Sequence, residues 1–187
     1  MRNDRAEAFG EDIGQNGWLT ADEQDLFLGW VGLTPESRLL DIACGSGGPT
    51  LRIAARARAE RERLAARAAF EPLDAGRPLP FADAAFDGLI CIDAVNHLPH
   101  RDRVFREWAR VLCPGGRLVF TDPIVVTGAL SSEEIAARSS IGFFLFVPVG
   151  TDERLLGEAG FELVEVAALL ASERRLSRFA FRARRPS

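Results

Sequence analysis

The stretch LLDIACGSGGPTLRIAARARAE, residues 39 to 60, constrains the fold more than any other part of the chain. Residues 38–43 form an apolar run long enough for a buried strand, and Gly45, Gly47 and Gly48 break it sharply. From Pro49, a residue suited to a first helical turn, the chain becomes dense in Ala, Arg, Leu and Glu, which favour helix. Strand, glycine turn and helix in that order open an α/β unit. The glycines let the backbone pass close to a ligand, since they carry no side chain and tolerate positive φ, and the helix start offers free N–H groups. Asp41, near the end of the strand, supplies a carboxylate that can accept hydrogen bonds from a cationic ligand tail or orient the loop.

The alternation continues. FEPL (70–73) reads as a weak strand, FDGLICI (86–92) as a buried one and RLVFT (117–121) as another. Between the last two, RDRVFREWARVL (101–112) places Val104, Phe105, Trp108, Val111 and Leu112 on one helical face, and the PGG at 114–116 ends that helix. SEEIAARSS is expected to be helical after Ser131 or Ser132 as N-cap, and DERLLGEAG (152–160) to be a helix that Gly160 terminates. FELVEV (161–166) and SRFAFRA (177–183) alternate apolar and polar residues, as strands do. Strands separated by helices imply a doubly wound, mostly parallel sheet with helices on both faces. At 187 residues, 47% of them apolar, the chain suffices for one core and one domain.

Composition excludes several classes. All 23 basic residues are arginine and there is no tyrosine, so neither a lysine-dependent phosphate loop nor a Tyr-x-x-x-Lys dehydrogenase pair is present. Cys44, Cys91 and Cys113 are odd in number and lie far apart, which argues against a disulfide framework and a zinc site and leads us to expect no metal. The net charge of −4 argues against a nucleic-acid partner; the arginines from Arg174 to Arg185 are expected on the solvated face and end of a last strand. No run reaches the ~20 apolar residues of a membrane span, and the start is too polar for a signal peptide, so the expectation is a cytoplasmic protein.

Asp93 and His97 follow a parallel strand, at the end where doubly wound sheets keep their ligands, and a histidine there can accept a proton from an attacking N or O. Asp122, at the end of the next strand, is a second candidate on the same rim, for acceptor binding or for a simple turn before Pro123. Phe143, Phe144 and Phe146 can wall an apolar acceptor pocket or belong to the core.

LLDIACGSGG, then DAGRPLPF with FDGLICIDAVNHL, then EWARVLCPGGRLVFTD resemble the successive motifs of class I S-adenosylmethionine-dependent methyltransferases over roughly residues 11–166. The resemblance implies a Rossmann-like methyltransferase fold with an antiparallel last strand and S-adenosylmethionine as cofactor, S-adenosylhomocysteine being its product. Asp41, Ala43, Cys44, Gly45, Ser46 and Gly47 match the loop under the methionine moiety, with alanine in place of the usual first glycine. Asp74 and Ala75 match the pair that contacts adenine. Asp93 and His97 match the stretch facing methyl transfer. Residues 1–34 then form an N-terminal lid, with Gln15, Trp18 and Leu19 over the cofactor, and residues 123–151 an acceptor-side insertion. FGEDIGQNGWLT and the spacing from Asp93 to His97 look most like the small-molecule branch of phosphoethanolamine and sarcosine/dimethylglycine methyltransferases. In the phosphoethanolamine enzymes a tyrosine assists the histidine, and this chain has none. Methyl transfer to a small N, O or C nucleophile is the function so implied. The alternatives are an inactive methyltransferase-like module and, because Ala43-x-Gly45-x-x-Gly48 nearly satisfies the dinucleotide pattern, a nicotinamide-dependent oxidoreductase.

One part of the pattern is absent. A nucleotide-binding unit of this kind has, ~20 residues beyond its glycine turn, an acid at the end of a second strand that holds the ribose. Here the corresponding stretch is Arg-, Ala- and Glu-rich; Glu60, Glu62 and Glu71 are the nearest acids, and the first two have no strand before them. Losing that contact costs on the order of 1.5–3 kcal/mol per charge-assisted hydrogen bond and leaves FEPL without a neighbour. The expectation is either a longer polypeptide in which this strand exists or a true deletion with weakened binding.

Overall fold

A computed structural model of the chain describes residues 14, 19–34, 36–60, 68–138, 145–172 and 176–187. Six strands form one sheet within them: β1 (Leu39–Asp41), β2 (Phe86–Cys91), β3 (Leu112–Val126), β4 (Val147–Pro148), β5 (Glu162–Ser172) and β6 (Leu176–Arg184). The order across the sheet is β1-β2-β3-β6-β5, with β4 beside the end of β3. β1, β2, β3 and β4 pair in parallel, while β6 runs antiparallel to both β3 and β5. The helices are α1 (Ala21–Val31), α2 (Gly48–Glu60), α3 (Arg101–Val111), α4 (Ser132–Arg138) and α5 (Thr151–Glu158).

Successive side chains on a strand point to opposite faces, and this divides the core in two. Leu89, Cys91, Leu118, Phe120 and Phe181 face α3 and α5, where Phe105, Trp108 and Leu156 are fully buried. Phe120 and Phe181 stack there with ring centroids 4.7 Å apart. Ile90, Val119 and Ala180, the alternate residues, face α1 and its Phe27, Trp30 and Val31. The α1 helix lies close on the sheet because of Gly88, where an added Cβ would meet Val31 Cγ1 at 2.5 Å. A capping box starts α1: Glu23 N–H donates to the Thr20 hydroxyl, and Thr20 N–H donates to the Glu23 carboxylate.

The helical face expected for residues 101–112 is the buried face of α3. Ser131, not Ser132, caps α4, through reciprocal bonds with Glu134. RLVFT lies inside a much longer strand, because β3 starts immediately after α3 at Leu112. FEPL is corrected: residues 68–73 form no strand, and Phe70 and Leu73 are 48% and 45% exposed. The cause is the one noted in the sequence. With no second strand beside β1, FEPL has no partner for its backbone groups, and β1 itself stands at the edge of the sheet, paired to β2 alone among the described residues.

Candidate functional site

The carboxyl ends of β1 and β2, the loops after them and α1 enclose a cavity of ≈ 230 Å³. Its floor is the glycine turn. Ala43, Gly45 and Gly47 all have positive φ (60°, 58° and 82°), so the backbone folds back on itself before α2, and Ala43 holds a left-handed conformation that an L side chain disfavours. Ala43, Cys44 and Gly45 line the cavity; Ser46 and Gly47 are not among its lining residues. At Gly47 the neighbour is Phe70, whose ring an added Cβ would meet at 2.8 Å.

Asp41 lines the same wall, half-buried. Burial pushes its carboxyl up from the ordinary 3.8 to about 6, against a hydrogen bond donated by the Thr50 hydroxyl. The same burial, together with the Asp41 charge, raises the Cys44 thiol. The opposite wall is α1, which presents Gln24, Phe27 and Leu28, with Leu19 just before it, and Gln24 donates through Nε2 to the Pro49 carbonyl, 2.9 Å away. Ile53, Ile90 and Ile92 make much of the remainder apolar.

Asp93 and His97 close the rim, as expected from their place after β2. His97 sits in a short 3₁₀ turn (Val95–His97) with its side chain exposed. Asp93 is held more firmly. Its carboxylate receives Arg178 Nε at 2.7 Å, Arg178 Nη2 at 3.3 Å and the Thr121 hydroxyl at 2.7 Å, while its own N–H donates to Thr121 Oγ1.

Residues 40–120 match the family model described as "Methyltransferase domain". The chain is 35% identical over 160 residues to the 27-O-demethylrifamycin SV methyltransferase of Amycolatopsis mediterranei, covering 74% of this chain and 58% of that protein. Residues 40–120 belong to the methyltransferase domain family. Solved structures share the fold of the chain. Phosphoethanolamine N-methyltransferase 2 of Haemonchus contortus superposes with a TM-score of 0.76 at 18% identity, covering 94% of this chain and 55% of that one. The [4+2]-cyclase SpnF superposes with 0.71 at 23% identity, covering 94% and 85%. The chain thus spans little more than half of the rifamycin relative's length.

Several expected positions of the methyltransferase motifs fall elsewhere. Asp74 is exposed and does not line the cavity; it accepts from Gly76 N–H at 3.0 Å and from Arg77 Nε at 3.1 Å, closing a turn, and Ala75 packs on the core beside it. Asp122 is corrected from rim to interior. It is fully buried, pairs with Arg101 Nη1 at 2.7 Å and accepts from Ile124 N–H, because β3 continues past it and covers it. Arg101 also holds Asp152 at 2.8 Å, and burial pushes the Asp152 carboxyl up to about 7, with Arg101 opposing the rise and Asp122 adding to it. Arg178 is corrected from the solvated face to the interior, while Arg182 and Arg184 are neutralised by Glu165 and Glu162. Phe146 is half-buried; Gln15, Trp18, Phe143 and Phe144 lie outside the described residues.

Sequence reasoning did not single out Gln24, Thr50, Arg101, Asp152 or Arg178. Thr50, nine residues beyond Asp41, was open to a local argument, since the glycine turn folds the start of α2 back over the strand end. The others join residues 21 to 155 positions apart and carry no local signal.

Proposed function

We propose that the cavity takes S-adenosylmethionine and that the protein transfers its methyl group to a small-molecule acceptor. The observation that carries this reading is the convergence of the left-handed glycine turn, the Asp41 carboxylate and the rim residue His97 on one pocket at the carboxyl ends of β1 and β2. The residues fit the ligand. The tight turn brings backbone close to a methionine moiety, and Asp41 is an acceptor for its ammonium group. When bound, the cofactor supplies an electrophilic methyl on a sulfonium.

The protein's part is alignment and exclusion of water, since displacement at that methyl needs the nucleophile in line with it. The apolar wall of α1 and the isoleucines supplies the dry side. His97 takes the proton from an attacking N or O, and Asp93, engaged by Arg178 and Thr121, shapes the rim rather than accepting that proton. Residues 1–34 are the lid side of this single domain and 123–151 the acceptor side, with Phe143, Phe144 and Phe146 as its apolar elements; Gln15 and Trp18 belong to the lid. The free thiols of Cys44, Cys91 and Cys113 suit a cytoplasmic, reducing setting. The rifamycin relative supports a small-molecule acceptor over a macromolecule.

A second reading, a binding module with little turnover, draws support from the edge position of β1, which among the described residues has no strand on its outer side. Calorimetric titration with S-adenosylhomocysteine tests the first reading, alongside Gly45→Val. Saturable binding that the substitution abolishes supports it; no binding, or unchanged affinity in the variant, refutes the site. Tight binding with no methyl transfer across a panel of small hydroxyl, amine and phenol acceptors favours the module.

A further inference from the structure

We propose that Arg178 is a positioning residue that holds two walls of the cavity together, fixing the rim carboxylate of Asp93 and latching α1 across the opening. The guanidinium is 5% exposed at residue level and reaches both groups at once: Nε and Nη2 go to Asp93 at 2.7 and 3.3 Å, and Nη1 goes to Glu23 at 2.6 Å. Glu23 lies in the first turn of α1, 155 residues away in sequence, and its other oxygen closes the capping box with Thr20. One carboxylate therefore both starts the helix and docks it. Gln24, Phe27 and Leu28, the cavity wall that α1 contributes, and Leu19 just before the helix belong to the segment this anchor holds.

The same end of α1 is held by a second arginine. Arg52 on α2 donates to Gln24 Oε1 at 2.8 Å and to Asp25 Oδ1 at 2.7 Å. The N-terminal end of the wall is thus tied both to β6 and to the glycine-turn helix. Arginine is the residue suited to this. Its planar fork can serve two carboxylates in fixed directions, whereas a lysine ammonium is a single point charge. The pairing is also costly to break from one side, since Asp93 would be left buried without its partner.

This inference concerns the cavity itself, and only its ligand-binding arm rests on the proposed cofactor. The experiment is amide hydrogen exchange on the wild-type chain, on Glu23→Gln and on Arg178→Lys, with the core of β3 around Phe120 as the internal reference. Glu23→Gln preserves the capping box, which accepts glutamine, and leaves the Arg178 pair with Asp93 in place. Arg178→Lys keeps the charge beside Asp93 but cannot reach both acids. Expected is faster exchange in α1 by about tenfold or more in both variants, as for loss of one buried charge-assisted hydrogen bond, with β3 unchanged. The double variant should exchange no faster in α1 than either single one, because the same contact is lost. S-adenosylhomocysteine affinity should fall in parallel. Unchanged α1 exchange, or a rise shared equally by β3, overturns the latch. If the wild-type protein does not bind S-adenosylhomocysteine, the cofactor reading fails while the exchange data still decide the role of Arg178.

Discussion

Replacing Asp41 by asparagine should make the protein more stable at alkaline pH while weakening its binding site. The carboxyl is half-buried in the cavity wall, and burial raises it from 3.8 to about 6. For an acid the sign is clear: a folded-state value above the unfolded one means that the folded protein binds the proton more tightly, so this group costs no stability below 3.8. The cost grows between 3.8 and about 6 and is then constant. A rise of about two units corresponds to roughly 3 kcal/mol at most. Asparagine is nearly isosteric, still accepts the Thr50 hydroxyl and stands in for the neutral carboxyl; the rise to about 6 is already the net of burial against that hydrogen bond. The expectation is Asp41→Asn stabilised by about 2–3 kcal/mol at pH 8 and by nothing at pH 4. Urea unfolding of both proteins at four pH values from 4 to 8 reads this out, since all other titrating groups are common to the pair and cancel in the difference. S-adenosylhomocysteine titration should show weaker binding by the more stable variant. A stability difference independent of pH, or a variant that loses most at pH 8, refutes the reasoning.

Ala43→Gly should stabilise the fold by about 0.5–1 kcal/mol: relief of the left-handed conformation at Ala43 is worth about 1–2, less about 0.4–1 for the extra freedom of the unfolded chain. In a chain of this length that is a rise in Tm of about 1–4 °C by scanning calorimetry; a fall in Tm would contradict the conformational assignment. Arg101→Met should cost about 3–5 kcal/mol at neutral pH, because it leaves Asp122 and Asp152 buried without their counter-charge. Because Arg101 lowers the Asp152 carboxyl, its removal pushes that group above 7, so the loss should shrink as the pH falls towards 7 and change little through Asp152 below it, where both proteins carry it protonated. A loss under 1 kcal/mol in urea unfolding at neutral pH would show that the interior tolerates these acids uncompensated.

Much of the fold was legible because it is local. Period-two alternation placed β5 and β6, a buried apolar run placed β2, the apolar face of α3 was countable, and the glycine turn announced a strand end and a helix start. The strand ends in turn located Asp41, Asp93 and His97 in one pocket, since a parallel sheet brings the carboxyl ends of its strands to the same rim. Even the failure of FEPL as a strand follows from the missing neighbour noted in the sequence.

The pairings of the charged side chains were decided by tertiary structure alone. Asp122 and Asp93 both end parallel strands and read alike in sequence, yet one is enclosed with Arg101 and the other is held at the cavity rim by Arg178. What separates them is where α3 and β6 bring arginines from elsewhere in the chain, and that β3 runs on past Asp122. Residue type and spacing determine which face of an element is apolar. They carry no information on which distant charge will be within 3 Å, because that depends on how the whole sheet is ordered, and burial then turns such a meeting into a fixed ion pair that neither residue would form in water.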